Sequence, residues 1–383
     1  MNKTEFTFPV GYHDFNKKTA FNFQLNRWYS LGYARFEDIK EAGNNISSLE
    51  EWKTEMLKLA EVAVSEDRLM NAAFYYRAAE FFIPREDPEK GLIYEKFTDL
   101  FYRATRDDEI EKYEVPYKDG FLPAMRIQPG DSERRGTVVL HGGNDSFIEE
   151  FYPLMRYFSE HGYEVIGFEG PGQGSALKKY GLPLNIEWEK PVKAVLDYFK
   201  VDDVTLLGIS MGGWLSLRAA AFESRIKRVI AWSVSFDVIQ YSNILGQIIA
   251  KLMLSKFRNF TNNSMVKKMK KNLEYSWFVN NLMYITRKEV PIKAFDVLLQ
   301  FNEDNLYSDL VRQDVLILTG REDHLVPFKM HDMQVKALTN ARSVTSRVFT
   351  KEEQAQNHCQ IGNLGLALNV IVEWIEQAGW GGR

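Results

Sequence analysis

Cysteine is almost missing from this chain: Cys359 stands alone in 383 residues, which excludes an internal disulfide and any zinc cage built from thiolates. Histidine is also sparse, at six. No H-E-x-x-H or clustered carboxylate pattern offers a metal site, so no cofactor and no metal are expected. An excess of positive charge is lacking too. With 48 Lys+Arg against 52 Asp+Glu, the formal net charge is −4, and no global basic field favours nucleic acid. No apolar run approaches the ~18 residues of a membrane span, and the opening MNKTEFTFPVGYHDF has no apolar h-region. The expectation from these absences is a soluble, cytoplasmic protein whose partner is small and local.

What is present changes character along the chain. Residues 1–108 read as an N-terminal helical domain. SSLEEWKTEMLKLAEVAV opens with a capping box, Ser48 and Glu51, and repeats apolar residues at Trp52, Met56, Leu59, Ala60 and Ala63. RLMNAAFYYRAAEFFIP continues with Met70, Phe74, Ala78 and Phe81. In DPEKGLIYEKFTDLFYRA, Asp87 is the expected N-cap and Pro88 the first helical residue. Aromatics on this segment would suit a homodimer.

From Tyr113 short strands take over. YEVPYKDGFLPAMRI is two extended runs joined at Asp119-Gly120, a hairpin signal. TVVLHGG, YEVIGFEGPG, VTLLGIS, KRVIAWS and VLILTGRED then alternate with helical patterns. That alternation argues for an α/β class domain over 109–383, a mostly parallel sheet with helices on both faces. The rhythm breaks over 238–312, a helical, aromatic-rich insertion that, at a strand end, reads as a lid. Its VKKMKK cluster, Lys267, Lys268, Lys270 and Lys271, reads as a solvated helix face, with anionic lipid as the alternative.

LLGISMGGW, Leu206 to Trp214, matches G-x-S-x-G, which alone arises by chance in roughly one chain in eight if Gly and Ser each run near ~7%. Context decides its meaning. VTLLGI is a buried-strand pattern and MGGWLSLRAAAF begins a helix, the strand-turn-helix setting of a nucleophile elbow with Ser210 at its apex. A serine hydroxyl needs a base and a carboxylate that orients it. His358, on the polar stretch before the final helix, is the candidate base, and Asp323, after the strand DVLILTG, the candidate acid. Glu322 and His324 beside it are expected to point elsewhere. The turn His141-Gly142-Gly143-Asn144 can present backbone amides, so Gly143 and Met211 are the expected oxyanion hole, with His141 structural. EGPGQGSA lacks the third glycine of a dinucleotide loop and reads as a tight strand-to-helix turn.

With these parts in order, the chain resembles the α/β-hydrolase superfamily over about Tyr113 to Gly379. The helical segment ahead of the hairpin is similar to FrsA-like esterases and the dihydroxypseudooxynicotine hydrolase group. The catalytic part is similar to acylaminoacyl and dipeptidyl peptidases, without their β-propeller. The resemblance implies an α/β-hydrolase fold, a Ser-Asp-His triad, an often hydrophobic lidded pocket, and a serine hydrolase acting on an ester or amide of a small-molecule or short acyl-peptide substrate. Carbon-carbon bond hydrolysis on a ketone or diketone, with Asp237 assisting the leaving group, is the alternative. A non-catalytic ligand-binding protein on the same fold is the alternative of another class.

Overall fold

Short aliphatic and β-branched runs between tight turns form eight strands: β1 (Glu111–Tyr117), β2 (Gly120–Ile127), β3 (Gly136–His141), β4 (Tyr163–Phe168), β5 (Val204–Ile209), β6 (Ile226–Trp232), β7 (Asp314–Gly320) and β8 (Ser343–Phe349). The computed structural model describes residues 6–130, 134–144 and 146–380. The outer ends of the 1–108 and 109–383 segments lie outside the described residues. The strands make one sheet in the order β1-β2-β4-β3-β5-β6-β7-β8. β1 with β2 and β2 with β4 are antiparallel, and the other pairs are parallel. This is the α/β sheet expected from the alternating pattern.

Successive side chains of a strand point to opposite faces, and the sheet separates two apolar layers on that basis. Val138, Leu140, Leu207, Leu316 and Leu318 pack with one layer. Val139, Leu206, Val315 and Ile317 pack with the other. The first layer continues without a break into helices Thr19–Ser30, Phe36–Asn45, Leu49–Ser65, Leu69–Phe81 and Glu89–Ala104, which all precede β1. The helical segment therefore shares its core with one face of the sheet.

Local expectations need four corrections. Tyr117 pairs with Gly120, so the two-residue hairpin turn is Lys118-Asp119, with Lys118 at φ 51°, rather than Asp119-Gly120. Glycine is required at 120 for another reason: a Cβ there would lie 2.9 Å from the Tyr180 Cβ. Ser48 Oγ accepts from the Glu51 amide at 3.1 Å, but the Glu51 carboxylate accepts from Ser47 N at 2.7 Å, one residue earlier than a capping box requires. Asp87 Oδ1 accepts from Glu89 N at 2.9 Å as an N-cap would, while Pro88 stands just before the assigned helix. Helix Leu69–Phe81 has no exposed polar face, because every residue from Ala72 to Phe81 is buried, Arg77 and Glu80 included.

Between β6 and β7 the chain runs through helices Ile244–Lys256, Arg258–Met269, Leu273–Thr286, Pro291–Leu298 and Glu303–Leu306. Trp277 ties this insertion to the N-terminal helices, stacking on Phe81 at 5.2 Å and donating Nε1–H to the Phe81 carbonyl at 3.3 Å. Among the described residues no helix is long and apolar enough to cross a membrane.

Candidate active site

The fully buried strand β5 ends in a turn that only small residues permit. Ser210 adopts φ 61° and ψ −125°, a conformation rare for a residue with a Cβ and retained where surrounding structure holds it. Its amide donates to Trp232 O at 2.8 Å, and its carbonyl accepts from Gly213 N at 2.9 Å. A Cβ on Gly208 would come within 1.9 Å of Gly212 O, and one on Gly213 within 2.2 Å of Ser233 O. The flanking glycines therefore let β5, the following helix Met211–Ala220 and the end of β6 converge on the serine.

His358 and Asp323 arrive from the two strands beyond. Gly320, the last residue of β7, has no room for a Cβ, which would lie 2.3 Å from Gln356 O and 2.4 Å from Asn357 O. Glycine thus lets the loop after β8 lie directly on the end of β7. Ser210 Oγ is 2.8 Å from His358 Nε2, and His358 Nδ1 is 2.7 Å from Asp323 Oδ2. Asp323 Oδ1 accepts from Leu325 N at 2.8 Å and Val326 N at 2.9 Å, which orients the carboxylate. Burial by itself would raise the Asp323 pKa, but the His358 charge, the hydrogen bond from His358 and these two amides together lower it. For His358 burial acts to lower the pKa, but the Asp323 charge, the neighbouring Cys359 and the hydrogen bonds to both together outweigh it, leaving the imidazole well above its ordinary value.

The turn after β3 completes the arrangement. Gln173 Nε2 donates to Gly142 O and Gly143 O, both at 2.8 Å, and His141 Nδ1 lies 3.0 Å from Gly142 O. In a trans peptide the N–H points opposite the carbonyl, so anchoring Gly142 O turns the Gly143 amide away from these donors. A Cβ on Gly143 would lie 2.8 Å from Met211 N, which puts the two candidate oxyanion residues side by side. His141 is buried, and burial pushes its pKa down to about 4. Its Nε2 accepts from Trp188 Nε1 at 3.2 Å, so the neutral ring is a brace. Substituting Gly143 by alanine would drive a methyl group toward the Met211 amide. The expected result is a loss of about 10²- to 10³-fold in kcat with little change in KM, measurable by steady-state kinetics.

The sequence reading did not identify four residues of this site. Gln173 sits inside EGPGQGSA, seen only as a turn, and its role depends on a contact 30 residues away. Ser233, one residue past β6, places its hydroxyl 3.1 Å from Asp323 Oδ2. Gln360 Oε1 accepts from Trp232 Nε1 at 2.6 Å and fixes the His358 turn. Phe23, from the first helix, puts its ring 6.0 Å from that of His358 and 4.8 Å from that of His324. His324 thus faces Phe23, and Glu322 is exposed, so both lie apart from the Ser210 chain of hydrogen bonds. Asp237 Oδ1 accepts from Ile239 N at 2.9 Å and so caps the turn that follows.

A small cavity of about 40 Å³ adjoins the turn after β3 at Asn144 and is lined by Phe81, Phe147, Trp277 and Tyr284 together with the charged Arg77, Glu80, Lys90 and Lys178. A larger one of about 630 Å³ runs between the end of helix Leu69–Phe81 and helix Leu273–Thr286. Trp277 and Tyr284 line both. Among the described residues no three His, Cys, Asp or Glu side chains group as metal ligands.

Residues 138–358 match a family model described as the alpha/beta hydrolase fold. Among curated relatives, Alpha/beta hydrolase psoB of Aspergillus fumigatus is 25% identical, the match covering 95% of this chain and 94% of that protein. Hydrolase LUC6 of a Fusarium species is 34% identical over 195 residues, 44% of this chain and 45% of that protein. The match with LUC6 thus spans under half of that relative's length. Of solved structures, 2,6-dihydroxy-pseudo-oxynicotine hydrolase superposes with TM-score 0.66 at 20% identity, covering 94% of this chain and 96% of that one. AbyA5 does so with TM-score 0.66 at 16% identity, covering 94% and 99%. These likenesses are of fold, and they run over nearly the whole chain.

Proposed function

Because the chain belongs to the alpha/beta hydrolase fold family and is a hydrolase, we propose that it is a serine hydrolase cleaving an ester or amide of a small, partly apolar substrate. The observation that carries this reading is the unbroken chain Ser210 Oγ, His358 Nε2, His358 Nδ1, Asp323 Oδ2, with links of 2.8 and 2.7 Å. His358 takes the hydroxyl proton as Ser210 Oγ attacks the carbonyl carbon. The Gly143 and Met211 amides hold the oxyanion, and Asp323 stabilises the imidazolium. The tetrahedral adduct collapses, and the leaving oxygen or nitrogen takes the proton from His358. Water then gives a proton to His358 and attacks the acyl carbon, and the acid departs as Ser210 regains its hydrogen.

The insertion, read as a lid, and the N-terminal helices together line the cavity at Asn144, whose volume of about 40 Å³ favours short acyl groups. The test is a series of activated esters of increasing acyl length, run beside β-diketones. Turnover of the esters, with kcat/KM greatest for short acyl groups, is expected. Cleavage of diketones with no ester turnover would transfer the chemistry to carbon-carbon bonds. Ligand binding with neither activity would make the fold a receptor.

The pH profile follows from the site's electrostatics. Only neutral His358 can accept the serine proton, and Asp323 stabilises the protonated ring. The acid limb of kcat/KM therefore has its midpoint above the ordinary histidine value of about 6.5, and activity rises through it as pH increases. Asp323→Asn removes the largest contribution that opposes burial. It should move that midpoint down and cut kcat by about 10⁴-fold, both read from one set of pH-rate curves.

A further inference from the structure

We propose that residues 238–273, at the outer side of the insertion, form a docking surface for anionic phospholipid. No residue from 237 to 278 is buried, although most of this stretch is helical. Helix Ile244–Lys256 turns its aliphatic side chains outward: Ile244 is 77% exposed, Leu245 66%, Ile248 59%, Ile249 51% and Leu252 49%. Their spacing of one and four residues makes a single stripe along the helix. Phe257 and Phe260 extend it, at 52% and 66% exposure. Apolar area of this extent on a protein surface marks a place of contact with something else.

Charge identifies the occupant. From residue 238 to residue 273 there is no Asp or Glu, in a chain whose acids outnumber its Lys and Arg. The same stretch carries Lys251, Lys256, Lys267, Lys268, Lys270 and Lys271, all exposed. Among the described residues none of these six has a carboxylate within ion-pair distance. Outward aliphatic and aromatic side chains bordered by unpaired lysines are what an anionic bilayer surface accepts. The apolar stripe enters the acyl boundary, and the lysines meet the phosphates. A second copy seated through the same face about a twofold axis would instead set lysines against lysines with no acid from either stretch. The surface adjoins the rim of the candidate site, because the Tyr241 hydroxyl is 3.0 Å from Ser235 Oγ just past β6.

Flotation of the full chain with vesicles tests this without reference to hydrolysis. The protein should float with phosphatidylcholine vesicles containing phosphatidylglycerol, float far less with phosphatidylcholine alone, and be released by high salt. Replacing Lys267, Lys268, Lys270 and Lys271 together by glutamine should lower the partition coefficient by roughly 600-fold, since each surface-bound cation contributes about fivefold. Ile248→Ser with Leu252→Ser should weaken binding at every salt concentration. Because all these side chains are exposed, the variants should keep the wild-type thermal transition. Wild type remaining unbound to anionic vesicles would overturn the proposal. So would a dimer in sedimentation that Ile248→Glu disperses while vesicles leave the wild type untouched, since that would assign the surface to a second copy.

Discussion

Ser210→Ala is expected to abolish turnover, lowering kcat by about 10⁴-fold or more, while leaving the fold in place. In the proposed mechanism the loss is large because the substitution removes the only atom that forms the covalent intermediate. The Gly143 and Met211 amides, as the proposed oxyanion donors, would still meet a carbonyl, so KM should change little. Stability should change little as well. The backbone at 210 keeps its positive φ with either residue, and its anchors to Trp232 O and Gly213 N are main-chain bonds. His358 loses one hydrogen-bond partner but retains Asp323. Kinetics together with thermal unfolding check both halves. Residual activity near the wild-type level would remove Ser210 from the chemistry.

Arg77→Ala should be the most destabilising single change in the N-terminal segment, at about 3–5 kcal/mol, because it strips a central cation from a buried ionic cluster. Arg77 is 2% exposed and bonds Glu80 at 2.5 Å and Glu150 at 2.7 Å, carboxylates that are themselves 2% and 0% exposed. Its guanidinium also lies 3.9 Å from the Phe147 ring centre. Without it, Glu150 keeps Arg27, and Glu80 keeps Lys178 and Lys90, which is why the cost is bounded. Burial alone would raise the Glu80 pKa, but Lys90, Lys178 and Arg77 together hold it well below the usual carboxylate range. A carboxylate with a depressed folded pKa contributes stability that is in place above its unfolded value of about 4.3 and is lost as pH falls toward the folded one. Acid should therefore reduce the stability of the wild type. Chemical denaturation across pH measures both effects, and a loss under about 1 kcal/mol for Arg77→Ala would mean that the cluster rehydrates rather than staying buried.

The same cluster shows where the sequence was readable and where it was not. Ser210 was legible because its determinants are local: a strand pattern, small residues at fixed spacing and a helix start, all within a dozen positions. Asp323 and His358 were legible because strand order in an alternating α/β chain fixes which loops meet at the carboxyl ends. Arg77 was not legible as a core residue, since nothing in AAFYYRAAEF says that its partner is Glu150, 73 residues away. Gln173 and Phe23 were missed for the same reason, as their contacts with the oxyanion turn and with His358 are products of tertiary packing. The hairpin was displaced by one residue because Gly120 resembles a turn glycine, whereas Tyr180 crowding its Cα is what requires it. Likewise helix Leu69–Phe81 reads as amphipathic until the sheet on one side and neighbouring helices on the other bury all of its final turns.

The central claim, that Ser210 is an activated nucleophile, is tested most directly by intact mass after exposure to a fluorophosphonate, with the adduct located by peptide mapping. A single adduct on Ser210 in the wild type, absent from Ser210→Ala, is the result expected. A folded wild type that takes up no label, or takes it up at another residue, would contradict the account.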